Sequence, residues 1–241
     1  MAKILTIGFL IIGDEILSGR TSEKNLPMLA QMLADKGLRI DEARVVRDVP
    51  AQIAAAVREM RAQYDYVFTS GGIGPTHDDI TADCIAAAFD DHIDVRDDAR
   101  ALLAAHYDRN GMELNEARLR MARIPDSATL IDNPVSVAPG FTVQNVHVMA
   151  GVPSVFQAMV ATVLPTLSGG APLLSRTLRV HRGEGDIAGP LGTFATNYSD
   201  LSVGSYPFQK DGKYGSNLVV RGADAARLDQ AMTALEALFP A

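Results

Sequence analysis

Cysteine is almost absent from this sequence, since Cys84 is the only one among 241 residues. A single cysteine cannot form an intramolecular disulfide, and it leaves no thiolate cluster to hold zinc or an iron–sulfur centre. The five histidines are scattered without a His-x-x-x-His pair, which argues against a histidine zinc site. We therefore expect a protein of the reducing cytoplasm.

Basic charge and long apolar runs are also scarce. The 22 lysines and arginines face 29 aspartates and glutamates, a formal net charge of -7, whereas a partner bound mainly through its phosphate backbone requires a basic face. No apolar run approaches the roughly 20 residues of a membrane span. The apolar residues 4–12 lead into Gly13 without a cleavage pattern, so they are interpreted as a core strand. We expect neither long nucleic acid nor a membrane as a partner.

Short apolar runs alternate with helical patterns from residue 3 to about residue 167. This alternation predicts an α/β fold with a mostly parallel sheet. Helices are predicted to begin near Ser22 and at Pro50, and residues 90–124 are interpreted as a charged, helical insertion without strong strands. The predicted strands are 4–11, 40–46, 66–70 and 146–149.

A domain boundary is predicted at Ser168-Gly169-Gly170, which gives domains 1–170 and 171–241. The second domain shows the pattern strand, helix, two strands and helix. Its last helix carries an apolar stripe at Leu228, Met232, Leu235 and Phe239, which must cover one face of a sheet. We expect a small α+β unit.

The most informative segment is the glycine-rich turn at residues 71–76, which joins an apolar strand to a helix predicted at 82–89. Such a turn presents backbone N–H groups and a positive helix end to an anion, so it predicts a phosphate or nucleotide site. It lacks the Gly-Lys-Ser/Thr of a P-loop and the third glycine of a dinucleotide fold. The residues predicted to bind substrate here are Gly71, Gly72, Gly74, Pro75 and Thr76.

Carboxylates accompany this turn. Asp78 and Asp79 follow it directly and are placed to hold a divalent ion. The alternative is that Thr76 and Asp79 form a capping box at the helix start. Asp14 and Glu15 follow the first strand and Asp48 follows the second, so all would reach the carboxyl edge of one sheet. Taken singly, each of these acids is better explained as a solvated loop residue or a cap, and it is their convergence that favours a site.

Two further loops are predicted to close the pocket, residues 133–140 and 150–154. The second loop follows a strand and begins a helix, so its amides could bind another phosphate. A purely structural role in the turn and the helix cap explains it equally well. Ser154 is a candidate N-cap. The residues predicted to bind substrate in these loops are Ser136, Pro139, Gly140, Gly151 and Pro153.

Three motifs together resemble the molybdopterin-binding domain superfamily and, within it, the competence/damage-inducible protein A (CinA) family. They are Gly13 to Gly19 with Asn25, the Gly-Gly-x-Gly-Pro-Thr-x-Asp-Asp-x-Thr stretch at 71–81, and Ala138-Pro139-Gly140-Phe141. The resemblance covers about residues 1–170, and the second domain is similar to the KH-type domain of that family. It implies a three-layer α/β fold that binds molybdopterin or adenylated ligands, and self-association into a homo-oligomer.

The resemblance also implies an activity, namely hydrolysis of a nucleotide pyrophosphate such as ADP-ribose or FAD with release of AMP. It implies a divalent metal, Mg²⁺ or Co²⁺, with potassium. By this resemblance, Asp48 and Asp79 correspond to the catalytic acids of the family. The predicted metal ligands are Asp48, Asp78 and Asp79. Gly13, Asp14 and Glu15 are further predicted substrate-binding residues. The alternatives are binding without hydrolysis and adenylyl transfer in molybdenum cofactor biosynthesis.

Two features of the family bear on what the chain does not do. CinA proteins often continue into a nicotinamide mononucleotide deamidase domain, and because this chain ends at Ala241 we expect no deamidation. A Gly-x-x-Gly at 189–192 matches the loop with which KH domains clamp RNA. It contains no basic residue and the second domain is charge-neutral, so we expect a structural or oligomer contact there rather than RNA binding.

Overall fold

The computed structural model of the chain describes residues 5–167, 174–210 and 212–240. The chain divides into two compact units, residues 1–170 and 171–241. Among the described residues, no helix combines the length and the apolar content needed to cross a membrane.

The first unit is built on a six-stranded sheet that is mostly parallel, as predicted. Four neighbouring strands run parallel, and two further strands extend one side of the sheet, where each pairs antiparallel with the strand on its inner side. In spatial order the strands are β2 (Glu42–Val46), β1 (Ile7–Ile12), β3 (Tyr66–Ser70), β8 (Val146–Met149), β7 (Gly140–Val143) and β6 (Thr129–Ile131).

Helices cover both faces of this sheet, which confirms the three-layer fold. Every residue of β1 is buried, and its side chains alternate between two cores: Leu10 belongs to one, and Phe9 belongs to the other. This is why a central strand reads as a continuous apolar run. The helices are α1 (Asp14–Leu17), α2 (Asn25–Ala34), α3 (Pro50–Gln63), α4 (Thr81–Phe89), α5 (Asp97–Arg109), α6 (Glu116–Leu119) and α7 (Pro153–Val163).

The segment 90–124 is less purely helical than predicted. It contains β4 (Ile93–Val95) and most of β5 (Arg123–Pro125), which pair antiparallel as a separate two-stranded sheet. A 3₁₀ turn at Arg120–Ala122 joins α6 to β5. Strands of three residues are too short to give a recognisable alternation, and this explains the error.

The second unit has the predicted order: β9 (Leu174–Val180), α8 (Glu184–Asn197), β10 (Ser202–Lys210), β11 (Lys213–Gly222) and α9 (Ala225–Leu238). Its three strands are antiparallel in the order β10-β11-β9, and Leu228 and Leu235 of the predicted stripe are fully buried. The Gly-x-x-Gly at 189–192 lies inside α8 rather than in a loop, so it cannot act as an RNA-clamping loop in this form.

One buried histidine should make the stability of the first unit depend on pH. His147 in β8 is 6% exposed, its Nδ1 lies 2.9 Å from Thr142 Oγ1, and burial lowers its pKa from 6.5 to about 4. His147 therefore binds a proton near pH 6.5 in the unfolded chain, whereas in the folded chain it does so only near pH 4. The contribution of His147 to the free energy of unfolding is fully present above pH 6.5. It falls by up to about 3 kcal/mol as the pH is lowered from 6.5 to about 4.

Urea unfolding followed by circular dichroism between pH 7 and pH 4.5 measures this effect. His147→Gln retains a hydrogen-bonding side chain but cannot take the proton, so we expect it to lose most of this pH dependence. His77→Gln is the matched control, because the His77 side chain is 98% exposed. Identical pH profiles for wild type and His147→Gln would contradict the prediction.

Candidate functional site

The candidate site lies where the chain changes direction in the sheet. Strands β1 and β3 are neighbours and parallel. The chain leaves β1 for α2 on one face, and it leaves β3 for α4 on the other face. In open α/β sheets ligands bind at the carboxyl end of such a pair. Two predicted segments therefore start side by side here, namely Gly13 to Glu15 and residues 71–76. We name residues 71–76 the glycine loop.

The glycine loop is packed too closely against its neighbours for side chains. Gly71 has φ 108°, and a Cβ atom there would lie 2.2 Å from the carbonyl oxygen of Ile12 at the end of β1. A Cβ atom at Gly72 would lie 2.1 Å from Thr81 Oγ1 in α4. These glycines hold the turn against the sheet. The Gly71 amide is already bonded, because it donates to the Met149 carbonyl oxygen at 3.1 Å.

Asn25, at the start of α2, joins the ends of two strands. Its side chain is buried, and Nδ2 donates to Ser70 Oγ at 2.7 Å and to the carbonyl oxygen of Gly151 at 2.8 Å. Gly151 in turn lies against Gly71, because a Cβ atom at Gly151 would be 3.3 Å from the Gly71 Cα. The loops after β1, β3 and β8 therefore meet in one place, as predicted.

Asp79 closes the glycine loop. Its Oδ2 accepts hydrogen bonds from the Thr76 backbone N–H at 2.8 Å and the Thr76 hydroxyl at 2.5 Å. The capping-box alternative is thus correct about the bonded pair but wrong about its place, because α4 begins two residues later, at Thr81, with Ile80 as N-cap. The bonds fix the Asp79 carboxylate at the loop rather than at a helix end.

A narrow cleft opens beside the glycine loop. Four predicted residues line it: Gly72, Gly74, Asp79 and Pro139. Sequence reasoning missed three charged residues that line it too, namely Asp83, Arg120 and Arg123. Arg123 forms an ion pair with Asp83, so these two charges balance each other. No local motif marks the arginines, because the 90–124 segment carries them to the cleft only in the folded chain.

A second hollow contains Asp14 and Glu15 together with Arg20 and Arg47. The Arg47 guanidinium hydrogen-bonds Asp14 at 2.8 Å and lowers the pKa of that carboxyl. The two predicted acids therefore belong to a hollow with its own arginines. Both members of the Arg47–Asp14 pair are half exposed or more, so the pair stabilises the fold little.

Asp48 has a structural partner in this region. Its Oδ2 accepts a hydrogen bond of 2.8 Å from the backbone N–H of Asp14, the first residue of α1. Asp48 is not among the residues that line either hollow. In the structure it therefore positions the loop that follows β1, in line with the cap alternative, and a catalytic role for it stays a prediction.

The remaining predicted residues fall into three groups. Pro75, Thr76 and Asp78 lie in the exposed turn before α4. Ser136 is held by Asn133, whose Nδ2 donates to its Oγ at 2.7 Å. Gly140 and Pro153 have structural positions: Gly140 is buried in β7, where a Cβ atom would lie 2.4 Å from the carbonyl oxygen of Val148, and Pro153 is the first residue of α7. Val152, rather than the predicted Ser154, is the N-cap of α7.

A divalent cation can be tested against these carboxylates. Within residues 5–167, 174–210 and 212–240, no group of three or more His, Cys, Asp or Glu side chains is gathered closely enough to hold a metal. Asp48, Asp78 and Asp79 are therefore not a preformed protein cage. Mg²⁺ is usually held by one or two carboxylates with substrate phosphates and waters. Asp79 suits that mode, since it stands on the cleft beside Gly72 and Gly74.

Comparison with known proteins agrees with the fold. A family model described as the probable molybdopterin binding domain matches residues 8–169. The chain belongs to this molybdopterin-binding family. The crystal structure of the protein CinA from Thermoplasma acidophilum is similar, with 32% identity and a TM-score of 0.61 over 67% of this chain and 96% of that one. The CinA resemblance of the sequence motifs is thereby confirmed.

Two relatives of this molybdopterin-binding chain extend the comparison. A CinA-like protein of Citrifermentans bemidjiense is 36% identical over 170 residues, which are 68% of this chain and 41% of that protein. A probable FAD synthase of Caenorhabditis elegans is 29% identical over 264 residues, which cover 99% of this chain and 51% of that protein. The chain thus spans about half the length of these relatives or less. A second family model, the FAD synthase middle domain, matches residues 172–241.

Proposed function

We propose that this chain binds a nucleotide or pterin nucleotide through its diphosphate and hydrolyses the phosphoanhydride, with ADP-ribose-like or FAD-like molecules as substrates. The observation that carries the proposal is the placement of Gly72 and Gly74 of the glycine loop and Asp79 on one cleft beyond the carboxyl end of β3. Backbone amides of a turn between a strand and a helix bind phosphate oxygens. A carboxylate beside them is where a phosphate-bound cation would sit.

The residues at the cleft would have different roles in the proposed reaction. The amides of Gly72 and Gly74 would bind one phosphate, and Thr76 would keep the Asp79 carboxylate in place through its two hydrogen bonds. A bound Mg²⁺ or Co²⁺ would neutralise phosphate charge and lower the pKa of a coordinated water. Most of the rate in such a reaction comes from positioning and electrostatics.

The reaction is a simple displacement at phosphorus. A water oxygen forms a new bond to the adenylyl phosphorus while the bond from that phosphorus to the bridging oxygen breaks. The water oxygen remains in AMP, the bridging oxygen leaves on the other phosphate, and the protons of water pass to the products and the solvent. ADP-ribose would give AMP and ribose 5-phosphate.

Incubation with ADP-ribose or FAD and Mg²⁺ or Co²⁺, each with and without potassium, tests the proposal, with AMP measured by chromatography. We expect AMP to appear only when a divalent cation is present, and EDTA to stop its release. A chain that binds the dinucleotides but releases no AMP with any of these cations would not be a hydrolase.

The same site supports a second function, binding without hydrolysis or transfer of an adenylyl group. The specific observation in its favour is the arrangement of the acids: Asp48 caps α1 and Asp78 stands in an exposed turn, so Asp79 is the one predicted catalytic or metal-binding acid on the cleft. Under this alternative, ligand binding is measurable by calorimetry while AMP release stays at the level of the buffer.

A further inference from the structure

The cleft contains a positive charge that the proposed function does not yet use. Arg120 stands at the 3₁₀ turn between α6 and β5 and lines the cleft with Gly72, Gly74 and Asp79. Its Nε is buried and has no hydrogen-bond partner in the part of the chain that the structure describes. A buried charged donor without an acceptor costs free energy and calls for an explanation, which a bound water, ion or ligand can supply.

Within the described residues, two other arginines of the 90–124 segment are paired with carboxylates, unlike Arg120. Arg96 pairs with Asp98 at 2.8 Å, and Arg123 pairs with Asp83. Arg120 has no carboxylate oxygen within 4.0 Å among residues 5–167, 174–210 and 212–240. Arg123 neutralises the charge of Asp83. The remaining charges of the cleft therefore belong to Arg120 and Asp79.

Arg120 is nevertheless held in place. Its Nη2 donates to the backbone carbonyl oxygen of Asp79 at 3.3 Å, and the fully buried Ala122 anchors the turn that carries it. The guanidinium thus contacts the main chain of Asp79 rather than its carboxylate. Since Oδ2 of that carboxylate accepts two hydrogen bonds from Thr76, Oδ1 is the oxygen left for a cation. A planar guanidinium fixed on one side presents its other N–H groups in the geometry that matches phosphate oxygens.

From this arrangement we infer that Arg120 is the cationic ligand for an oxygen of the bound diphosphate, and that the 90–124 segment serves to bring it to the glycine loop. The inference rests on the proposed function. It assigns the two opposite charges of the cleft to different partners: Asp79 faces the cation, and Arg120 faces a phosphate. Because Nε itself is buried, the N–H groups at the end of the guanidinium would donate to the phosphate oxygen.

Binding measurements on the full chain test this assignment. Affinities for ADP-ribose and for inorganic pyrophosphate are measured by calorimetry in EDTA and again with Mg²⁺, for wild type, Arg120→Gln, Arg120→Lys and Arg118→Gln. Arg118→Gln is the matched control, because Arg118 lies two residues away with its guanidinium over the Tyr107 ring and does not line the cleft. Thermal unfolding checks that each variant is folded.

We expect Arg120→Gln to weaken both ligands about 10-fold to 100-fold, as for loss of a charge-assisted hydrogen bond. Arg120→Lys should recover part of that loss, and Arg118→Gln should bind like wild type. A merely structural role predicts no advantage of lysine over glutamine, since both side chains can donate to the Asp79 carbonyl oxygen. Equal binding by wild type and Arg120→Gln overturns the inference alone, whereas a wild-type chain that binds no ADP-ribose, FAD or pyrophosphate overturns the proposed function with it.

Discussion

Asp79→Asn should lower kcat/KM for AMP release by about 100-fold or more while the protein remains folded. The substitution removes the charge that would hold the cation against the phosphates, and 100-fold corresponds to about 2.7 kcal/mol of transition-state stabilisation. The loop should survive, because the asparagine oxygen can accept the same two hydrogen bonds from Thr76 that the carboxylate accepts. Initial rates of AMP release at several substrate and Mg²⁺ concentrations measure the effect.

The control for this experiment is Asp97→Asn, which removes one negative charge from the first turn of α5, away from the cleft lining. It should retain the wild-type rate. A second readout separates a cation-binding role from general damage: the Mg²⁺ concentration needed for half of the maximal rate should rise in Asp79→Asn. Wild-type rates and an unchanged Mg²⁺ requirement in Asp79→Asn would remove this residue from the mechanism.

Gly71→Ala should cause the largest loss of stability of any single substitution in the glycine loop. Alanine would be strained at φ 108°, and its methyl group would lie 2.2 Å from the carbonyl oxygen of Ile12, a backbone atom in the buried strand β1. A strained dihedral and an overpacked contact each cost about 1–3 kcal/mol, so we expect a loss of about 2–6 kcal/mol. Urea unfolding followed by circular dichroism measures it.

Gly111→Ala is the matched control for that loss. Gly111 also has a positive φ, 63°, but nothing lies within 4 Å of the Cβ position. Its substitution should cost only the left-handed strain of an alanine, about 1–2 kcal/mol. Equal losses in Gly71→Ala and Gly111→Ala would mean that the β1 carbonyl yields to the methyl group, and that the close approach does not fix the loop.

The parts of the fold that could be predicted are those whose signal is local. The strand at residues 66–70 was located within its true bounds, because a strand buried on both faces is apolar throughout and is bounded by turn residues. The antiparallel pair β6 and β7 was missed. These strands have three and four residues, and their pairing across an intervening loop depends on the sheet already being formed.

The candidate site divides in the same way. The glycine loop and Asp79 are adjacent in sequence, so a motif marks them together. Arg120 lies 41 positions from the carbonyl group that it contacts, and only tertiary packing brings it to the cleft. For Asp48 the sequence leaves two roles open, because a position directly after a strand suits both a catalytic acid and a cap. Its hydrogen bond to the Asp14 amide is seen only in the folded chain.

The side chain of Asn25 sets a condition on when the pocket can form during synthesis. Its amide bridges Ser70 and Gly151, which are 45 and 126 positions further along the chain. Closing such distant contacts is a late and entropically costly step of folding. If the chain binds a dinucleotide as proposed, ligand added to stalled ribosomal complexes should protect only those nascent chains in which Gly151 has left the exit tunnel.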